Sequence, residues 1–122
     1  MTDTVTLAPS RETQQEWRRI CRVADLLTGR GVCALLGIEQ VALFLMWDGS
    51  VYAVSNYDPY GRAYVISRGI VGSRGDTPTV ASPLYKHVFD LRTGKPLDDI
   101  GGPALTTHPV RLVDGIVEVQ LR

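Results

Sequence analysis

The sequence is short of cysteine and of histidine, and each shortage excludes a class of protein. Its two cysteines, Cys21 and Cys33, are too few for a disulfide scaffold and fit a reducing compartment. They lack the Cys-x-x-Cys spacing of a redox pair, so we expect both to be buried as small apolar residues. The two histidines, His87 and His108, are expected at structural or surface positions rather than in catalysis.

Net charge and long apolar runs are also absent. Thirteen basic and thirteen acidic residues cancel, so bulk charge attracts neither nucleic acid nor an anionic membrane. No apolar run approaches the roughly 18 residues that a membrane span requires. Residues 1–16 are polar, carry no apolar segment of the kind found in signal peptides, and are expected to form a flexible tail. We therefore expect a cytoplasmic protein.

The remaining residues, 17–122, have the size of one domain and a pattern typical of an all-β fold. Short apolar runs predict roughly eight to ten strands, with no convincing long helix, arranged as an antiparallel sandwich or barrel. Asp48-Gly49 and Asp114-Gly115 each stand between two such runs and predict hairpins. The predicted strands cover residues 17–23, 32–36, 41–47, 51–55, 63–67, 70–71, 79–81, 87–91, 105–113 and 116–121.

A Gly- and Pro-bearing section, residues 56–78, interrupts the strands, and only 63–67 and 70–71 within it have strand character. A loop region of this length in a small domain is usually functional. The spacing Gly69-x-x-Gly72-x-x-Gly75 is not a dinucleotide-binding motif, and no order of Ser, His and Asp predicts a nucleophile. We therefore predict no catalytic and no cofactor-binding residue in this chain.

The most informative stretch is 81–94, Ala-Ser-Pro-Leu-Tyr-Lys-His-Val-Phe-Asp-Leu-Arg-Thr-Gly. It resembles the second half of a Rieske iron–sulfur motif, with Ser82 and Tyr85 at the positions of a cysteine and a histidine ligand. The first half of such a motif would fall at Asn56-Tyr57-Asp58, directly after the strand 51–55. The four positions that match Rieske ligands are thus Asn56, Asp58, Ser82 and Tyr85. The resemblance implies a Rieske-like fold whose cluster-binding lobe, about residues 56–91, has lost its ligands.

One branch of this superfamily matches in more detail, the small subunit of assimilatory NAD(P)H-dependent nitrite reductase. That branch has a similarly long segment between the two half-motifs, and its pattern resembles Ser67-Arg68-Gly69-Ile70-Val71-Gly72 followed by Ser82-Pro83-Leu84-Tyr85-Lys86. The resemblance implies a non-redox subunit of an enzyme that reduces nitrite to ammonium in nitrate assimilation. It also implies a large-subunit partner that carries FAD, sirohaem and an iron–sulfur cluster, and no cofactor in this chain.

The chemistry of the four positions argues against a metal cluster. A Rieske centre needs two thiolates and two imidazoles, which Asn56, Asp58, Ser82 and Tyr85 do not supply. A mononuclear site formed by Asp58, Tyr85 and His87 or His108 remains open. Hydrogen bonds among the four side chains, which would hold the two loops together, are the favoured interpretation. We predict no metal ligand.

Tyrosine and arginine are the residue types that anchor protein interfaces, and several lie in the predicted loops. The candidate partner interface comprises Tyr57, Tyr60, Arg62, Arg68, Tyr85 and Lys86, with Tyr64 and Arg74 nearby in the sequence. Two other functions stay open. One is a Rieske-type ferredoxin that transfers electrons itself, and the other is a free-standing regulatory or scaffold module that uses the same loops.

Overall fold

The computed structural model describes residues 16–85, 87–98 and 101–121. These residues form twelve strands and two 3₁₀ turns, and this described part contains no α-helix. The strands are β1 (Trp17–Arg22), β2 (Val32–Leu36), β3 (Glu39–Leu45), β4 (Val51–Ser55), β5 (Tyr57–Asp58), β6 (Ala63–Tyr64), β7 (Ile70–Arg74), β8 (Thr77–Ala81), β9 (Val88–Asp90), β10 (Thr107–His108), β11 (Val110–Val113) and β12 (Ile116–Gln120). The 3₁₀ turns span Val23–Asp25 and Ile66–Arg68.

Two antiparallel sheets form the base of the domain. One has the strand order β1-β12-β11 and the other β10-β4-β3-β2. Their inner faces meet in a core that includes Val41 and Leu43 of β3 and Val117 and Val119 of β12. Along each of these strands every second residue points into this core, as the two-residue period of a strand requires. The expected all-β architecture is therefore confirmed.

Strand β3 is buried on both faces, which explains its nearly continuous apolar sequence. Val41 and Leu43 face the core between the two sheets, whereas Ala42 and Phe44 face a second core under the lobe. All four side chains are fully buried. A strand covered on both sides needs apolar residues at every position rather than at alternate ones. Thus β3 joins the base of the domain to the lobe.

The lobe contains the two-stranded ribbon β5-β6, the three-stranded sheet β7-β8-β9 and the second 3₁₀ turn. Ile66 of that turn, Val80 of β8 and Phe89 of β9 are fully buried and pack in the same core as Phe44. Burial of these side chains fixes the sheet of the lobe against β3. The two loops that carry the positions of interest extend from this packed base.

Several predicted boundaries were wrong, and the packing gives the reasons. The strand predicted at 63–67 ends at Tyr64, because the chain turns to bury Ile66, whose N–H donates to the Asn56 carbonyl at 3.0 Å. The strand predicted at 41–47 ends at Leu45, and Trp47 lies beyond it, exposed to solvent. Section 56–78, predicted to be mostly loop, contains β5, β6, β7 and the start of β8.

The expectation that both cysteines are buried was also wrong. Cys33 is exposed and Cys21 is half-buried, because β1 and β2 are the outer strands of their sheets in the described part of the chain. Partial burial nevertheless raises the pKa of both thiols, and the nearby Asp25 carboxylate raises the pKa of Cys21 further. A raised thiol pKa favours the neutral form, which is a poor nucleophile and a poor metal ligand.

Two further observations bear on the predictions. Among the described residues no helix is long and apolar enough to span a membrane. The predicted tail, residues 1–16, lies outside the described residues except for Glu16.

Gly94 offers a test of this packing. Its φ is +79°, and a Cβ added there would overlap the carbonyl oxygen of Leu105. We predict that Gly94→Ala lowers the free energy of unfolding in urea by about 2–4 kcal/mol, because it combines a strained backbone with a backbone clash. Gly115→Ala is the matched control, since φ there is +77° and the added Cβ meets no atom within 4 Å. Equal losses for the two variants would contradict the close approach at Gly94.

Candidate functional site

Asp58 is the buried centre of the first loop. Its side chain is fully buried although it is a carboxylate, and such a group must find hydrogen-bond donors. Its Oδ1 accepts from the backbone N–H of Tyr60 at 2.8 Å and of Gly61 at 3.1 Å. These bonds fold residues 58–61 into a tight turn of the kind that aspartate favours. The carboxylate thereby fixes the shape of the loop after β5.

Ser82 fixes the shape of the second loop, and its hydroxyl is hydrogen-bonded to the Asp58 side chain. Its hydroxyl accepts from the Leu84 N–H at 3.1 Å and donates to Asp58 Oδ2 at 2.5 Å. Ser82 is 1% exposed, so water does not compete for this bond. Hydrogen bonds to a carboxylate are stronger than those between neutral groups. The two loops are therefore joined by one buried, charge-assisted hydrogen bond, which we name the Asp58–Ser82 clasp.

Gly61 of the first loop also packs closely against the Leu84 side chain of the second loop. A Cβ added at Gly61 would lie 2.8 Å from Leu84 Cδ1 and 3.1 Å from Asp58 Oδ2. A larger residue at position 61 would require the Leu84 side chain to move. The contact between the loops is thus made of direct packing as well as of the hydrogen bond.

Asn56 is buried, but it serves a different set of partners. Its Nδ2 donates to Gln40 Oε1 at 3.0 Å and to Cys33 Sγ at 3.6 Å, and its Oδ1 accepts from the Ser67 N–H at 2.7 Å. These bonds tie the β2–β3 hairpin to the second 3₁₀ turn. Asn56 therefore positions Ser67 and takes no part in the clasp.

Tyr85 is the fourth position that matches a Rieske ligand, and it points away from the other three. It is 76% exposed and has a φ of +59°, a conformation that is uncommon for a bulky residue. Its ring lies near His87, with centroids 6.4 Å apart. The predicted network of hydrogen bonds is therefore confirmed for Asp58 and Ser82, and it was wrong for Asn56 and Tyr85.

Tyr60, His87 and Phe89 form an aromatic group that neighbours Tyr85. The rings of Tyr60 and His87 meet edge to face with centroids 4.4 Å apart, and Tyr60 also contacts Phe89 at 5.8 Å. The Tyr60 hydroxyl and His87 Nδ1 are enclosed, and neither has a hydrogen-bond partner among the described residues. Tyr60 is thus half-buried and packs mainly as an apolar ring, whereas its place at a partner interface stays a prediction.

The remaining interface candidates differ in exposure. Arg62 and Arg68 are exposed, whereas Tyr57 is half-buried with its ring 5.0 Å from that of Tyr64. Arg62 has a φ of +60° and lies on the same loop as the clasp. Lys86 lies outside the described residues.

The residues present do not fit a Rieske cluster. An amide, a carboxylate, an alcohol and a phenol replace the two thiolates and two imidazoles, and both Asp58 oxygens already accept hydrogen bonds. Of the two histidines, His108 is buried on β10, which pairs with β4. Within the described residues no three His, Cys, Asp or Glu side chains are grouped as metal ligands would be.

Sequence reasoning missed the partners of Asn56. Gln40 and Cys33 lie on neighbouring strands, and Cα pairing places Cys33 opposite Ala42 rather than beside Asn56. Gln40, however, lies opposite Asn56 in the continued β3–β4 register, since Val41 pairs with Ser55 and the Asn56 N–H donates to the Gln40 carbonyl at 2.9 Å. The predicted hairpin at Asp48-Gly49 was the signal that could have found this pair. Sequence reasoning also did not single out Trp47, which lies exposed after β3. A signal was present, because the apolar run 41–47 is longer than a typical strand and its last residues can extend past the sheet.

The sequence is similar to known proteins along most of its length. The family model described as "Rieske-like [2Fe-2S] domain" matches residues 16–120. The chain is 40% identical over 106 residues to the nitrite reductase (NADH) small subunit of Salmonella typhimurium, which covers 86% of this chain and 97% of that protein. The chain belongs to the nitrite reductase small-subunit family. The family resemblance drawn from the half-motifs is thereby confirmed.

A solved structure and a larger polypeptide are also similar to this chain. The solution structure of the nitrite reductase [NAD(P)H] small subunit from Erwinia carotovora matches with a TM-score of 0.72 and 39% identity, over 87% of this chain and 82% of that one. The nitrite reductase [NAD(P)H] large subunit of Klebsiella oxytoca is 41% identical over 103 residues, which is 84% of this chain but 11% of that protein. In that polypeptide a domain similar to this small subunit is part of the large subunit.

The clasp predicts a cost for removing Ser82. Ser82→Ala leaves a buried carboxylate oxygen and the Leu84 N–H without their partner, so we expect the free energy of unfolding in urea to fall by about 2–3 kcal/mol. The matched control is Ser73→Ala, at an exposed position of β7, for which we expect a change within about 0.5 kcal/mol. A loss at Ser82 no larger than at Ser73 would show that the clasp contributes nothing to stability.

Proposed function

We propose that this chain acts as the small, non-redox subunit of an NAD(P)H-dependent nitrite reductase, which reduces nitrite to ammonium in cytoplasmic nitrate assimilation. The observation that carries the proposal is the similarity to the Salmonella small subunit, which extends over nearly the whole of that protein. In this proposal residues 17–122 work as one Rieske-like unit after a flexible tail.

The Klebsiella polypeptide supports a direct physical association. There a domain similar to this chain is joined covalently to the rest of a nitrite reductase large subunit. Two parts that occur in one polypeptide in one organism can act as separate, associated chains in another. We therefore propose that this small subunit binds a large subunit in a fixed ratio, and that FAD, sirohaem and an iron–sulfur cluster reside on that partner.

The role of the small subunit in this proposal is structural. The clasp supplies no group that can exchange an electron, because serine and aspartate have no accessible redox state. It can, however, keep the two loops rigid, and a rigid surface loses less entropy on binding than a mobile one. The proposed contact residues are the exposed Arg62, Arg68 and Tyr85, together with Lys86 and the half-buried Tyr57 and Tyr60.

The Rieske-type ferredoxin is the competing function, because it has the same fold and carries the cluster ligands that this chain lacks. The donor set favours the non-redox role, since a Rieske cluster requires thiolate and imidazole ligands. We expect the purified chain to be colourless, with no visible absorption from an iron–sulfur cluster after anaerobic purification. An iron-containing, coloured chain would favour the ferredoxin.

The subunit role predicts a saturable effect on the partner. When the purified chain is titrated into the large subunit from the same organism, we expect nitrite-dependent oxidation of NADH or NADPH to rise and reach a plateau at a fixed stoichiometry. The heat-denatured chain serves as the control. If the native chain neither binds nor changes the rate, the similarity reports the fold alone, and the free-standing scaffold module becomes the better account.

A further inference from the structure

Trp47 is held in place on the surface of the domain. Its side chain is 69% exposed, although it directly follows the buried Met46 at the end of β3. The indole lies against the backbone of Gly29, where an added Cβ would be 2.7 Å from its Cζ2 atom. Gly29 is itself fixed, since its N–H donates to the Leu45 carbonyl at 2.8 Å. The tryptophan thus presents a large apolar surface that is positioned in advance of any binding event.

Trp47 forms one wall of a groove of about 490 Å³. The other walls come from the segment 29–31 and from residues 67–71, including the exposed Ile70. A Cβ at Gly31 would overlap the carbonyl oxygen of Ser67, so these two segments are in close contact. Ser67 is in turn held by the buried Asn56 side chain at 2.7 Å. The groove is therefore part of the packed structure.

Two arginines, Arg30 and Arg68, lie along the groove. Both are exposed, and within the described part of the chain neither forms an ion pair, whereas Arg22, Arg74, Arg92 and Arg111 do. Tryptophan and arginine are the residue types most enriched at the energetic centres of protein interfaces. A tryptophan packed against Gly29, with two exposed guanidinium groups in the same groove, fits a partner surface that carries both apolar side chains and carboxylates.

We propose that this groove, centred on Trp47, is the principal docking surface for the large subunit, and that it receives an apolar segment of that partner flanked by carboxylates. This proposal rests on the subunit role and places the principal contact in a groove that Tyr85 does not line. Arg68 belongs to both surfaces, so the groove is continuous with the contact proposed above. A second copy of this chain is a poorer occupant, because a symmetric contact here would bring the arginines of both copies together.

The test measures the dissociation constant of the complex by biolayer interferometry, with the large subunit immobilised. We expect Trp47→Ala to weaken binding by about thirty-fold, as for a hot-spot residue. The control is Ile38→Ala, since Ile38 is 96% exposed and does not line the groove, and we expect no change in its binding. Urea unfolding of both variants checks that each is folded.

The association rate and its dependence on salt give a second, independent test of the groove. Arg30→Glu should slow association, and the difference from the unchanged chain should shrink as salt is added. Arg19→Glu, at an exposed position of β1 away from the groove, is the matched control and should leave the rate unchanged.

The outcomes separate this proposal from the subunit role. If the unchanged chain binds the large subunit and Trp47→Ala binds equally well, the groove is not the docking surface, while the subunit role stands. If the unchanged chain does not bind, both proposals fail. If sedimentation shows a dimer of the small subunit that Trp47→Ala abolishes, the groove joins two copies of this chain, and the proposed occupant is wrong.

Discussion

The hydrogen bond between Asp58 and Ser82 is the interaction on which the lobe depends. Two loops from different parts of the chain meet at the tip of the lobe, and each is folded around one of these side chains. In a Rieske protein a metal cluster with ligands from both loops would hold them together. Here a fully buried carboxylate and a buried hydroxyl make the connection at 2.5 Å. The fold can thus keep the shape of a cluster-binding lobe without the chemistry of one.

The clasp works because the base beneath it is rigid. Strand β3 is buried on both faces, so alternate side chains of this strand lie in the core between the sheets and in the core of the lobe. From the same strand the Gln40 side chain bonds Asn56, which holds the second 3₁₀ turn. Two positions that match cluster ligands have therefore acquired separate structural tasks. Asp58 joins the loops to each other, whereas Asn56 joins the lobe to the base.

The sequence alone was sufficient for the fold class, the hairpins at Asp48-Gly49 and Asp114-Gly115, and the family. These depend on local turn chemistry and on short motifs. It was insufficient for the contact of Asn56 with Ser67 and for the exposure of Tyr85, because these depend on the course of loops rather than on local patterns. The contact of Asn56 with Gln40, by contrast, follows from the register of the Asp48-Gly49 hairpin. The exposure of Cys33 was missed for a related reason. An apolar-looking strand position becomes exposed when its strand lies at the edge of a sheet, and strand order is a property of the whole fold.

The most direct test of this account is native-state hydrogen exchange at three backbone amides, those of Tyr60, Gly61 and Leu84. If the clasp makes the two loops one cooperative unit, the three amides should share a single opening free energy, and Ser82→Ala should lower it at all three together. If the Leu84 amide opens independently of the other two, and Ser82→Ala changes the exchange of Leu84 alone, the loops are held by their separate turns and the clasp does not unite them.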